Sequence, residues 1–203
     1  MAMKTTKWFV LWIILSPQLS WATTVLVVGD SLSSAYGIPV EQGWVALLEA
    51  RLKQEHKAIQ LVNASISGET TAGGRRRLPA LLARYRPQVV ILELGGNDGL
   101  RGIPPAQTEQ NLAAMIEAAF AAGAKVMLLG MKVPTNYGPK FSALFEAVYR
   151  RLAERYAVTF VPFFLEEVAL NAELMQADGI HPNLAAQPYL ADKVWQALAG
   201  MLN

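Results

Sequence analysis

Thr24-Val25-Leu26-Val27-Val28-Gly29-Asp30-Ser31-Leu32-Ser33 is a short apolar run cut off by a glycine and then by polar residues. Its length suits a strand, and apolarity at nearly every position, rather than alternate ones, indicates burial on both faces, as in a parallel sheet covered by helices. Four further runs share this character, at 59–63, 89–94, 125–129 and 159–161. Helical patterns lie between or after them, at 43–55, 78–85, 107–121, 141–156 and 186–202. Strand and helix alternation of this kind predicts an α/β fold: a single-domain three-layer α/β/α sandwich around a five-stranded, parallel, doubly wound sheet. Right-handed crossovers then put the loops that follow the strands on one edge, where a ligand crevice forms.

The 203 residues, 53% of them hydrophobic, suffice for one buried core. The first segment reads separately. Lys4 and Lys7 precede the apolar run Trp8 to Leu15, and a polar stretch ends in Ser20-Trp21-Ala22. This is the layout of a signal peptide. The run is far shorter than the roughly 20 residues that span a bilayer, so residues 1–22 are expected to be removed near Ala22, leaving 23–203 as the folded domain and no stable membrane insertion. Loss of Lys4 and Lys7 leaves 16 basic against 16 acidic residues. A neutral mature chain argues against binding to nucleic acid or to an acidic membrane surface. Cysteine is absent, which excludes disulfides and thiolate chemistry and is compatible with a bacterial periplasmic or secreted location.

Three loops follow the first three predicted strands. In the first, Gly29 permits a sharp turn, after which Ser31 can present both its hydroxyl and its backbone N–H to the crevice. Asp30, Ser31 and Ser33 are equally good helix caps, and taken alone Gly-Asp-Ser favours that reading. No glycine-rich phosphate or dinucleotide pattern is present anywhere in the chain. The second loop is Asn63-Ala64-Ser65-Ile66-Ser67-Gly68-Glu69-Thr70, and the third is Gly95-Gly96-Asn97-Asp98-Gly99. Asn97 and Asp98 would serve as turn formers in isolation. Convergence on one edge favours another role, in which the Ser31 N–H, the Gly68 N–H and the Asn97 side-chain amide hold the oxyanion of an acyl-transfer intermediate.

Only two histidines occur. His56 lies in the charged segment Lys53-Gln54-Glu55-His56-Lys57 and reads as a solvated surface residue. His181 lies in Asp178-Gly179-Ile180-His181-Pro182, where a three-residue spacing can aim the Asp178 carboxylate at the imidazole. Asp178 then holds Nδ1–H, and Nε2 is free to take the Ser31 proton. The chain order is that of α/β-hydrolases, but no Gly-x-Ser-x-Gly elbow is present.

Gly29-Asp30-Ser31-Leu32-Ser33, Gly68, Gly95-Gly96-Asn97-Asp98 and Asp178-Gly179-Ile180-His181-Pro182 resemble the four sequence blocks of the SGNH, or GDSL, hydrolases. The resemblance covers essentially the whole chain after residue 22. Asn63 to Gly68, Glu93 to Gly102 and Pro162-Phe163-Phe164 extend it toward bacterial secreted thioesterase, lysophospholipase and arylesterase members. It implies a flavodoxin-like SGNH fold and an acyl-enzyme mechanism with Ser31 as nucleophile, His181 as base, Asp178 as its orienter, and Ser31, Gly68 and Asn97 as the oxyanion hole. No metal or organic cofactor is expected. Small-molecule acyl esters and thioesters are the expected substrates, and a monomer the expected state. The segments 100–105 and 131–137 are implied as acyl-chain walls, with Asp30, Leu32, Leu100, Ile103, Val133, Pro134 and Ile180 as candidate substrate contacts. Alternatives are a short-chain arylesterase or carbohydrate O-acetylesterase and, outside catalysis, a periplasmic binding module with an idle site.

Overall fold

The computed structural model describes residues 23–55 and 58–202. The signal-peptide reading and His56 therefore lie outside the described residues. Strand β1 (Thr23–Gly29) is followed by α1 (Trp44–Glu55), β2 (Ile59–Asn63), α2 (Thr71–Tyr85) and β3 (Val89–Glu93). Then come α3 (Gly96–Leu100), α4 (Pro105–Ala121), β4 (Lys125–Leu129), α5 (Pro139–Tyr156), β5 (Thr159–Val161) and α6 (Gln187–Leu198). The strands form one parallel sheet in the order β2-β1-β3-β4-β5. The expected α/β fold is the observed one.

Helix α1 packs with α6, while α2, α4 and α5 pack side by side, which gives the two outer layers. Burial explains the composition of the strands. Val25 to Val28 and Val90 to Leu92 have no exposed surface, because these two central strands are covered from both sides. Trp44 on α1 meets Phe164 edge-on at 5.4 Å, and Phe145 and Tyr149 on α5 are likewise buried and in edge contact. Each helical layer is thus keyed to the sheet by large side chains.

Strand order reverses between β1 and β3. From β1 the chain crosses toward β2, and from β3 it crosses toward β4, so their two following loops part and leave a crevice between them. Ser31 follows β1 and Asn97 follows β3.

Two elements differ from expectation. Helix α2 starts at Thr71, seven residues before the predicted 78. Gly73 and Gly74 read as loop on propensity, but the Thr70 hydroxyl caps the helix by accepting from Gly73 N–H, and Thr71, Gly73 and Gly74 are all buried, so packing overrides propensity. The 95–99 turn is also the start of a short helix, α3, whose first residues are Gly96 and Asn97. Removing the α2 cap in Thr70→Ala should lower stability by about 1 kcal/mol, read from the urea midpoint at unchanged denaturant slope.

Candidate active site

Ser31 sits in the turn that leaves β1. The Ser34 N–H donates to Asp30 O and the Tyr36 N–H to Ser31 O, closing the chain on itself around the serine instead of beginning α1 directly. Ala35 accepts a φ of +60° there, a costly conformation for a side chain with a Cβ, and it places Tyr36 4.5 Å from the His181 ring.

His181 reaches the same point from the loop before α6. Its Nε2 lies 2.9 Å from Ser31 Oγ, and its Nδ1 lies 2.6 Å from Asp178 Oδ2. The other Asp178 oxygen accepts from the Ile180 and His181 backbone N–H groups at 2.9 and 3.0 Å. The His181 N–H and imidazole bonds, reinforced by the Ile180 N–H, hold the Asp178 carboxyl down at about 2. It is therefore an anion at any working pH, and the arrangement assigns the proton of a neutral imidazole to Nδ1 and the lone pair to Nε2. Ser31 Oγ faces an acceptor.

A residue outside the family blocks completes this junction. Gln176 Nε2 donates to Tyr36 O at 2.8 Å and Pro182 O at 3.1 Å, and the Gln176 N–H donates to His181 O at 2.7 Å. One side chain thus ties the serine turn to the histidine loop. Nothing in the local pattern distinguishes Gln176 from a surface glutamine, since its partners are 140 and 6 residues away.

The three loops that carry the expected oxyanion donors adjoin one another: the Ile66 N–H of the second donates to Gly29 O of the first at 3.1 Å, and Asn97 of the third bonds to Asp30 of the first. Among the described residues, no protein acceptor uses the Ser31 or Gly68 N–H. Gly68 takes a φ of +76°, which glycine alone adopts without strain, and Arg101 Nη2 donates to its carbonyl at 3.0 Å. Asn97 Nδ2 donates one proton to Asp30 Oδ2 at 3.0 Å, leaving its second proton for a ligand. Asp98 links these loops. Its carboxylate accepts from the Thr71 N–H at 2.9 Å and from the Thr71 hydroxyl, and Asn111 Nδ2 donates to that hydroxyl from α4 at 3.1 Å.

The cleft beside Ser31 and His181 is lined by Leu32, Ala35, Tyr36, Ile38, Pro182 and Gln187. Of the expected substrate contacts, Leu32 belongs to it. Asp30 does not: it is 2% exposed, and its carboxyl accepts from the Leu32 N–H and the Asn97 amide beneath the site. Val133 is 8% exposed and packs under Gly99, so it supports α3 from below. Leu100 and Ile103 are half-buried, and Pro134 and Ile180 are exposed, all outside that cleft. The two expected walls do meet, because Tyr137 Oη donates to Leu100 O at 2.7 Å. Among the described residues, no group of three or more His, Asp or Glu side chains is placed to hold a metal ion.

The profile of the GDSL-like lipase/acylhydrolase family matches residues 27–187, which contain every one of these groups. The chain belongs to this family. Esterase TesA of Pseudomonas aeruginosa is 55% identical over 190 residues, covering 94% of each chain. Thioesterase 1/protease 1/lysophospholipase L1 of Escherichia coli K12 is 43% identical over 195 residues, covering 96% of this chain and 92% of that one. Among solved structures, the psychrotrophic esterase EstA from Pseudoalteromonas, inhibited by monoethylphosphonate, superposes with a TM-score of 0.85 at 42% identity, over 89% of this chain and 99% of that one. As a GDSL-family member, the protein is a serine hydrolase acting on ester bonds.

The depressed Asp178 carboxyl has a thermodynamic consequence. Because the folded chain releases this proton more readily than the unfolded chain, its stabilisation is present above about pH 4 and disappears as the pH falls toward 2. The difference in melting temperature between wild type and Asp178→Asn should therefore shrink as the pH is lowered from about 5 to about 3 in parallel thermal melts.

Proposed function

We propose that this protein is an exported bacterial enzyme that cleaves esters and thioesters of fatty acyl groups through an acyl-enzyme on Ser31. The observation that carries this reading is the continuous contact from Asp178 Oδ2 through the His181 ring to Ser31 Oγ, at 2.6 and 2.9 Å, with the Ser31 N–H, the Gly68 N–H and the second Asn97 N–H left without an acceptor among the described residues. His181 Nε2 takes the Ser31 proton as Oγ attacks the acyl carbonyl. The carbonyl oxygen becomes an anion held by the Ser31, Gly68 and Asn97 N–H groups, and His181 returns the proton to the departing alcohol or thiol. Water then repeats the sequence on the acyl-Ser31 ester, with His181 again as base. Asp178 stabilises the imidazolium without taking its proton.

The E. coli relative is described by name as both a thioesterase and a lysophospholipase, which supports broad acyl substrates for this chain. The reading includes removal of residues 1–22, action as a monomer of residues 23–203 in the periplasm or outside the cell, and no membrane insertion. Among the described residues, no helix is long and apolar enough to cross a membrane.

A second reading, a short-chain arylesterase or acetylesterase, draws on the small cleft and on Tyr36, whose half-exposed ring flanks His181. Hydrolysis of p-nitrophenyl esters from acetate to palmitate, and of palmitoyl-CoA, separates the two. Rates that persist to long chains and include the thioester are expected, whereas activity confined to acetate and butyrate would replace the first reading with the second. Ser31→Ala should abolish turnover, and Asn97→Ala should lower kcat by about 10²- to 10³-fold. Full activity in Ser31→Ala would sink the assignment of the nucleophile.

A further inference from the structure

A pair of carboxyl groups lies beneath the oxyanion donors and takes no part in the reaction just described. Glu93 ends β3 with no exposed surface. Its Oε2 accepts from Ser33 Oγ at 2.5 Å and from the Asp30 backbone N–H at 3.2 Å, while Oε1 has no donor among the described residues. Asp30 is 2% exposed and accepts from the Leu32 N–H at 3.1 Å and from Asn97 Nδ2 at 3.0 Å. Among the described residues, no lysine or arginine bonds to either carboxyl. The contact is close because β1 ends in Gly29: a Cβ there would stand 2.5 Å from Glu93 Oε2 and 2.7 Å from Ser33 Oγ.

We propose that Glu93 is a positioning residue for the hydrolytic reaction, anchoring the turn that carries Ser31 through Ser33 and the Asp30 peptide, and aiming the Asn97 amide through the Asp30 carboxylate. The inference rests on the reading of Asn97 as an oxyanion donor.

Two buried carboxyls in contact, without a cation, do not both ionise. Burial, reinforced by the Asp30 charge, pushes Glu93 well above the ordinary carboxylate range. Burial also raises Asp30, to about 6, against the opposing bonds from Leu32 and Asn97. The other titratable groups whose charges couple to this cluster are His181 from the loop before α6 and Tyr149 on α5, which also feels Asp98 on α3. Glu93, the more deeply buried of the two, keeps its proton to the higher pH, so in the singly ionised pair Asp30 is the anion and Glu93 the acid. Glu93 O–H then joins the Leu32 and Asn97 N–H groups as a third donor to Asp30. A carboxylate that only accepts makes the nitrogen of the Asn97 amide, and not its oxygen, face inward. The second N–H on that nitrogen is thereby the one offered to the oxyanion.

The test compares Glu93→Leu and Glu93→Gln on p-nitrophenyl butyrate at pH 8. Glu93→Leu should lower kcat by about 10²-fold with KM changed by less than about threefold, the pattern of a lost transition-state interaction. Glu93→Gln, whose amide presents an N–H and a C=O in place of the acid's O–H and C=O, should restore kcat to within about fivefold of wild type. The infrared spectrum of wild type at pH 8 should hold a protonated-carboxyl C=O band that Glu93→Gln lacks. The folded chain keeps a proton that the unfolded chain has lost, so wild type should lose melting temperature relative to Glu93→Gln as the pH rises from about 5 to about 8. The last two readouts apply even where Glu93→Leu does not fold. A Glu93→Leu enzyme with wild-type kcat, a Glu93→Gln enzyme no better than the leucine variant, or absence of the acid band overturns the proposal. If Asn97→Ala keeps full activity, the oxyanion reading itself fails. If Asn97→Ala is crippled and Glu93→Leu is not, only the role of Glu93 falls.

Discussion

The pairing of β1 with β3, which sets Gly29 opposite Glu93, is the constraint on which the active site depends. These strands are neighbours in space but not in sequence, since β2 lies on the outer side of β1. Their following loops leave in opposite directions, and the crevice between them is a consequence of chain topology rather than of any side chain. Register supplies the rest. With Val27 beside Ile91 and Gly29 beside Glu93, the Asp30 and Asn97 side chains meet one step beyond the sheet. A slip of one residue would turn the Glu93 carboxyl to the opposite face and separate it from Ser33 and Asp30.

The site concentrates acidic groups where a purely structural core would hold none. Glu93, Asp30 and Asp98 are all buried within two turns of chain from an expected oxyanion donor. Each accepts from specific donors: Ser33 and the Asp30 N–H for Glu93, through Oε2 alone, Leu32 N–H and Asn97 for Asp30, and Thr71 for Asp98. Buried carboxyls of this kind weaken folding where their bonds are missing, and the bonds that are made hold the donors in fixed geometry. The surrounding hydrophobic layers, Trp44 against Phe164 on one face and Phe145 against Tyr149 on the other, supply the stability that such a cluster consumes. Preorganised N–H groups that need no rearrangement as charge develops are the main electrostatic requirement of acyl transfer.

Much of this was legible in the sequence. Five apolar runs gave the strands to within a residue, because strands buried on both faces are apolar throughout and need no partner to be recognised. Asp178 and His181 are legible as a pair because their contact is local, three residues apart in one turn. The start of α2 was not legible: Gly73 and Gly74 argue for loop, and only the Thr70 cap and burial of that turn decide otherwise. Nothing in Gly-Asp-Ser reveals that Asp30, a candidate substrate contact, turns inward toward Asn97, 67 residues away. The burial of Val133 beside Gly99 is equally hidden from the local pattern.

Sequence by itself determined the alternation of elements, the chemical types at the loop ends and the Asp178 to His181 spacing, because these depend on hydrophobic periodicity, composition and local chain geometry. Tertiary structure alone decided that Ser31 meets His181 across 150 residues, that Gln176 ties their two loops together, and that Glu93 holds the Asp30 peptide while the Asp30 carboxyl holds Asn97. Such contacts arise from strand order and register, which no local pattern encodes. A buried carboxyl at the end of an apolar strand acquires its meaning only from the groups packed against it.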